Sequence, residues 1–272
     1  MVNDVNLSAA TVVNLLALQR TTNEIARTQE RLATGLKVNS AIDNSVAFFD
    51  AATLTARATD LQLLKNDVDQ AISTVQIAVD GIEAIEDIVE QMKGLALSAK
   101  SDSSSTNRSK AAVQFNDLKT QLDNLANDST YKGTNLLVGS PANLKVTFSE
   151  DGSSTLTVSG VASDASALSI TTAAADWAAD SNVDFAINDL DSALTTLRSS
   201  ALTLGSNASV ISLRLDFADT LISALQEGAG KLVNADLNAE SATLLTLQTR
   251  LQLGTIGLSI AQQSDQAVFR LF

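Results

Sequence analysis

The chain has 272 residues with no Cys, no His, one Pro and a formal net charge of −13. Those absences remove thiol nucleophiles, disulfides, Cys or His metal ligands and the commonest general acid/base, and the charge argues against a surface that grips nucleic acid. Hydrophobic residues reach 45% but aromatics only 4%, so the apolar content is mostly Ala, Leu, Val and Ile, which suit helix–helix seams, and Pro141 alone interrupts helices.

Residues 1–34 read as an amphipathic helix, with Leu18, Ile25 and Leu32 seven apart and Leu15 three before the first. Gly35 is its stop, and 35–56 reads as a bent connector. Across 61–99, Leu61, Leu64, Val68, Ala71, Val75, Ala78, Ile82, Ile85, Val89, Met92, Ala96 and Ala99 alternate by three and four, a sustained heptad seam. Ile72, Val79, Ile88 and Leu95 form a second stripe, so this helix, roughly 60 Å long, predicts two neighbours. The polar run 100–106 predicts a turn. Ala111, Phe115, Leu118, Leu122 and Leu125 then predict a third helix folding back antiparallel.

Residues 128–182 change character. Lys145–Phe148 and Thr155–Ser159 alternate apolar and polar around Glu150-Asp-Gly-Ser153, a β-hairpin signal. Residues 161–182, rich in Ala, Ser, Thr and Asp, read as loop with one further short strand. Heptads return over 183–225, with Leu190, Leu197, Leu204 and Ile211 on the seam. Gly228 and Gly230 mark the stop. A last amphipathic helix covers 236–271, with Leu237, Leu244, Leu251 and Leu258 seven apart and Leu247, Ala261 and Val268 beside them. Gly254 allows close approach there.

The fold class is therefore mainly α: a long antiparallel coiled-coil bundle rod with a small β-hairpin insertion. The layout is symmetric, and it predicts both termini at one end. No run of 18 apolar residues marks a membrane span, and the opening residues lack the basic and apolar regions of a Sec signal.

Other clusters read as surface. Glu83, Glu86, Asp87 and Glu90 make an acidic face on the first long helix, a cation site or an ion-pairing face. Arg20, Arg27, Arg31 and Lys37 lack interleaved aromatics, so pairing with Glu24, Glu30 or another copy fits better than nucleic acid. No Gly-rich phosphate loop appears, no cofactor or metal is implied, and an enzyme has no site to rest on.

The stretch 29–41, Gln-Glu-Arg-Leu-Ala-Thr-Gly-Leu-Lys-Val-Asn-Ser-Ala, followed by Asp43, resembles the N-terminal signature of bacterial flagellins. Ala235-Asp-Leu237, Glu240-Ser-Ala242, Leu247-Gln-Thr249, Gln252-Leu-Gly254 and Leu258-Ser-Ile-Ala261 resemble the C-terminus of short alphaproteobacterial members. Tyr131–Leu137 is similar to the family's turn after the third helix, with Lys132 in place of Asn. The resemblance implies a structural subunit, secreted through the flagellar type III apparatus, that polymerises into the extracellular filament for swimming motility. The hook–filament junction protein shares this architecture and is the alternative. Residues 1–34 with 236–272 would form an inner tube and 35–235 an outer rod, with 128–182 as the insertion and no large outer domains. The expected polymerisation residues are Leu15, Leu18, Ile25, Leu32, Leu244, Leu251 and Leu258. The implied partners are the chain itself, an export chaperone, a filament cap and junction proteins, with no nucleic acid and no membrane. Where innate receptors read an Arg before Met-Arg-Glu-Leu, this chain has Gln91-Met-Lys-Gly-Leu95, which implies weak recognition. Ser153, Ser154 and Thr155 are either plain turn residues or O-glycan acceptors.

Overall fold

Long heptad runs without internal proline become long helices. The computed structural model describes residues 9–269. Its order is α1 (Ala9–Thr34), α2 (Ser45–Ser101), α3 (Ser105–Asp128), β1 (Thr130–Tyr131), β2 (Thr134–Asn135), β3 (Leu144–Thr147), β4 (Thr155–Val158), a 3₁₀ turn (Ala174–Trp177), α4 (Asp180–Val233) and α5 (Leu237–Phe269). Among the described residues the fold is mainly α, 75% helical with five helices and small antiparallel hairpins. The ends of the two terminal helices expected for 1–34 and 236–271 lie outside the described residues. Two compact units result: a central one, 57–223, and a terminal one made of the chain up to 56 and from 224.

In the central unit α2 and α4 run antiparallel, held in register by a ladder of ion pairs. Lys65 pairs with Asp219 at 2.8 Å, Lys93 with Asp191, and Lys100 with Asp184 at 2.6 Å. Each step up α2 is matched by an equal step down α4, 28 residues and then seven. Between these pairs Val75, Ile82, Val89, Leu190, Leu197, Leu204 and Ile211 are all 0% exposed and share one core. Ile72, Val79, Ile88 and Leu95 pack partly buried against that core. After the break at 102–104, where Ser104 N donates to Asp102 Oδ1 at 2.7 Å, α3 adds Phe115, Leu122 and Ala126.

The expected hairpin forms with Leu144 opposite Val158 and Thr147 opposite Thr155. A second, shorter hairpin joins β1 and β2 through Lys132 (φ 47°) and Gly133 (φ 80°). Two successive left-handed residues are the I′ turn that suits hairpin twist. The resemblance of Tyr131–Leu137 placed a turn here, although Lys-Gly stands where Asn-Gly or Asp-Gly is the usual form. Gly81 lets this segment touch α2: an added Cβ would lie 2.5 Å from Ser129 Oγ.

Three expectations change. Residues 161–182 contain no strand among those described. Side chains satisfy the loop instead: Ala165 N donates to Asp123, Thr171 N to Asp189 and Ala173 N to Asn116. The connector expected over 35–56 is shorter, because α2 begins at Ser45, where Asn44 Oδ1 accepts from Ala47 N at 3.1 Å. The stop expected at Gly228 and Gly230 lies inside α4. Of the two, Gly230 has a tight neighbour, since a Cβ there would meet Asn234 Nδ2 at 2.8 Å, whereas one at 228 would make ordinary contact with Leu54 Cδ1 at 3.6 Å.

The 3₁₀ turn holds Asp176 and Trp177 at φ 49° and 55°, a left-handed conformation that costs roughly 1–2 kcal/mol per residue. Full burial of Trp177 against the Phe115 ring, centroids 5.0 Å apart and edge-on, offsets that strain. Replacing Phe115 by Ala removes this support and opens a cavity. Urea unfolding followed by circular dichroism is expected to show a loss of about 3–5 kcal/mol; a loss under 1 kcal/mol would mean the core closes around the gap.

Candidate assembly surface

The signature residues 29–41 build the corner of the terminal unit. Gly35, at φ 72°, ends α1 by donating its N–H to Arg31 O at 2.8 Å. The chain then pairs edge to edge with the α4–α5 junction: Lys37 N donates to Val233 O at 2.7 Å, and Ala235 N to Gly35 O at 2.8 Å. Asp43 Oδ2 accepts from the backbone N–H groups of Ser40 (3.0 Å) and Asn39 (3.1 Å) and from Ser40 Oγ (3.1 Å). The bonds from Ser40 hold its carboxyl below the ordinary carboxylate range. Val38, 7% exposed, is the apolar peg of this corner.

From that corner α1 and α5 pair antiparallel. Arg31 Nη1 meets Glu240 Oε1 at 3.0 Å near it. Farther along, Leu18 rests on Gly254, where a Cβ would lie only 2.6 Å from Leu18 Cδ2. Leu18, Ile25, Leu32, Leu244, Leu251 and Leu258 are half-buried along this seam, whereas Leu15 is exposed. The burial is thin: of the described side chains on the two helices only Thr11, Thr28 and Leu247 are buried. The large apolar side chains left exposed are mostly a different set, of which spacing had singled out only Leu15 and Leu237. On α1 they are Val12, Val13, Leu15 and Leu16; on α5 they are Leu237, Leu245, Leu253, Ile256 and Ile260. An apolar face opposite the seam was the available signal.

Charge separates the two units. The terminal unit carries seven Lys/Arg against nine Asp/Glu, a net of −2, so −11 of the chain's −13 belongs to the central unit. Residues 5–19 and 251–264 carry no charged side chain at all. On the acidic face of α2, Arg198 lies 3.8 Å from Glu86 and 3.6 Å from Glu90, while Glu83 and Asp87 are exposed. Arg31 is partnered by Glu240 rather than by Glu24 or Glu30.

The β3–β4 hairpin is clamped to the central unit by Arg57 on Glu150 and by Arg214 stacked 5.3 Å from the Phe148 ring centre. At its tip Asp151 Oδ1 accepts from Ser149 Oγ (2.6 Å), Ser153 N (3.0 Å) and Ser153 Oγ (2.8 Å). These bonds, that from Ser149 first, pull the Asp151 carboxyl down to about 2. Ser153 and Thr155 are exposed there and Ser154 is half-buried.

Residues 5–142 match the family model of the bacterial flagellin N-terminal helical region, and 187–272 match that of the C-terminal helical region. The chain is 33% identical to flagellin FljM of Caulobacter vibrioides, covering 99% of this chain and 98% of that one. It is 29% identical to a flagellin of Brucella melitensis over 98% and 97% of the two chains. A crystal structure of Bacillus cereus flagellin aligns with 56% of this chain and 88% of its own, at a TM-score of 0.49 and 18% identity.

Two outcomes follow from this geometry. The Asp151 carboxyl is depressed in the folded chain, so its contribution is present above the ordinary value and fades as pH falls through about 2. A carbon-detected NMR titration of that carboxyl is expected to give a midpoint near 2; a midpoint at the ordinary aspartate value of 3.8 would show the tip hydrogen bonds do not persist. Replacing Gly254 by Val places a branched side chain where Leu18 already lies. Limited proteolysis of the monomer is expected to cut α1 and α5 sooner than in the unmodified chain. Unchanged protection would mean the pair does not depend on that contact.

Proposed function

This chain belongs to the bacterial flagellin family, and we propose that its paired terminal helices are the part that joins copies into the filament. As a member it is a structural protein of the flagellar filament that self-assembles. The observation that supports the assignment of the joining surface is the mismatch between apolar surface and burial in α1 and α5. Nine large side chains, Val12, Val13, Leu15, Leu16, Leu237, Leu245, Leu253, Ile256 and Ile260, are more than 40% exposed. Each gains roughly 1.5–3 kcal/mol on full burial, part of which is spent on ordering. Leu18, Ile25, Leu32, Leu244, Leu251 and Leu258 hold each pair together, and Leu15 with the outward set meets other copies.

Charge supports the same reading. Copies brought together through the terminal unit meet little net charge, while the acidic central units repel at longer range. The finer proposals extend the family assignment. The chain has no catalytic role, is exported by the flagellar type III route to the extracellular filament, and meets an export chaperone, a cap and junction proteins on the way. Gln91 and Gly94 are exposed and Leu95 half-buried, so a receptor that needs an Arg at the first position recognises this chain weakly. Ser153 and Thr155 are accessible to a glycosyl transferase.

The test is seeded elongation. Full-length chain and a variant lacking 236–272 are added to sonicated filament fragments and imaged by electron microscopy. Long filaments are expected from the full chain only, and faster at 0.3 M than at 0.03 M salt, because the Debye length shrinks from roughly 17 Å to about 6 Å. Equal elongation by the truncated chain would remove the terminal helices from the mechanism.

A further inference from the structure

The sequence holds two Asp-Gly pairs, at 80–81 and 151–152, and no Asn-Gly pair. Asp followed by Gly is open to spontaneous isomerisation, because Gly has no side chain to shield its backbone nitrogen from the Asp carboxyl. In that reaction the Gly nitrogen attacks Asp Cγ. An N–Cγ bond forms, the Cγ–OH bond breaks, and water leaves with the amide proton. The product is a five-membered succinimide. Water then opens it at either ring carbonyl. One opening returns Asp; the other gives isoaspartate, whose backbone runs through Cβ and Cγ and is one carbon longer. No reactant besides water takes part.

The two pairs sit in different settings. Asp80-Gly81 lies inside α2, where backbone N–H groups are held by the carbonyls four residues back. Asp151-Gly152 lies between the paired strands β3 and β4, at the exposed tip of the hairpin. There the restraint comes from side chains, and Ser149 is its hub. The Ser149 carbonyl accepts from Gly152 N at 3.0 Å, so the attacking nitrogen is tied. The Ser149 hydroxyl donates to Asp151 Oδ1 at 2.6 Å and accepts from Ser154 N at 2.9 Å. Ser153 adds its N–H at 3.0 Å and its hydroxyl at 2.8 Å to the same Asp151 oxygen. Three donors on one carboxylate oxygen favour the ionised form. The neutral carboxyl is the reactive one, since its hydroxyl leaves as water. Geometry and charge therefore oppose the same step.

We propose that Asp151-Gly152 is the isoaspartate-forming site of this chain, and that Ser149 holds the reaction in check by fixing both partners of the attack. The nitrogen reaches Cγ only when the tip opens and these bonds break together. Once isoaspartate forms, Cγ is a backbone carbonyl, and the carboxylate that accepted the three bonds is gone from its place. The change is then self-sustaining: the lengthened turn cannot rebuild the network that guarded it. Ser153 is the lesser guard, because it touches the carboxyl and not the attacking nitrogen.

The full chain is incubated warm at neutral pH and digested with trypsin. Isoaspartate is then located by electron-transfer fragmentation in peptides 66–93 and 146–198, which carry the two pairs. Conversion at Asp151 ahead of Asp80 is expected. Ser149→Ala is expected to convert Asp151 about ten-fold faster, the factor that one lost hydrogen bond to a charged group supplies, with circular dichroism unchanged. Ser153→Ala, which keeps its N–H, is expected to fall between. Ser154→Ala is the control, since the network uses its backbone N–H and not its hydroxyl; its rate is expected to match the unmodified chain. In urea both pairs are expected to convert faster and at similar rates. Asp80 converting first, folded Asp151 converting at the urea rate, or an unchanged rate in Ser149→Ala would overturn the proposal. Equal acceleration by Ser154→Ala would do the same, because any loosening of the hairpin would then suffice.

Discussion

Everything in the central unit depends on one antiparallel seam. The α2–α4 contact is built from residues at alternating spacings of three and four, so a slip by one or two residues turns apolar side chains into solvent. A slip by a whole heptad keeps the apolar side inward, and the seam alone does not forbid it. The ion pairs remove that ambiguity. Lys65, Lys93 and Lys100 on α2 find Asp219, Asp191 and Asp184 on α4 in a single register. Each pair is half-exposed and adds little stability by itself. Their value is in specificity, because only this register matches all three, whereas a one-heptad slip keeps only Lys93 on Asp184 or Lys100 on Asp191.

The terminal unit follows a different rule. Its hydrogen-bonded corner is well specified, with Gly35, Val38, Asp43 and Ala235 each tied by a definite contact. Beyond the corner the specification thins. The α1–α5 seam includes Thr11, Thr21 and Thr28 among its leucines, so it buries less than an all-leucine seam of the same length. Leucines are present in number on α5 but point both ways. The amount of apolar surface is therefore adequate for a packed structure, and its direction is wrong for a packed monomer.

Long helices were legible in the sequence because period and length reinforce each other over many turns. Positions such as Ile82 and Leu197 repeat a pattern a dozen times, and one deviant residue changes little. The 144–158 hairpin was legible for a similar reason: alternation on both sides of Asp151-Gly152. What stayed hidden depended on single contacts. The start of α2 at Ser45 rests on Asn44 capping Ala47, and Phe48 and Phe49 do not follow a heptad. The continuation of α4 past Gly228 and Gly230 shows no signal in spacing, since both glycines lie inside the helix. The loop after β4 is held by Asp123, Asp189 and Asn116, which lie far from it in sequence. On the candidate surface, the seam residues were visible as heptads. The outward set was not, because nothing in spacing says which apolar face finds a partner inside the chain.

The two units also differ in how much stability they hold on their own. The central unit has a continuous core of fully buried Ile, Leu, Val, Phe and Trp. The terminal helices bury little and open at low cost, since opening free energy follows local burial. A segment that opens easily yet carries much apolar surface gains more on association than a rigid one presenting a small patch. It also loses more chain entropy in doing so. If copies join through these helices as proposed, every added copy covers apolar surface on those before it. Had α1 and α5 been buried as fully as α2 and α4, the monomer would be more stable and these helices would offer less apolar surface to a second copy.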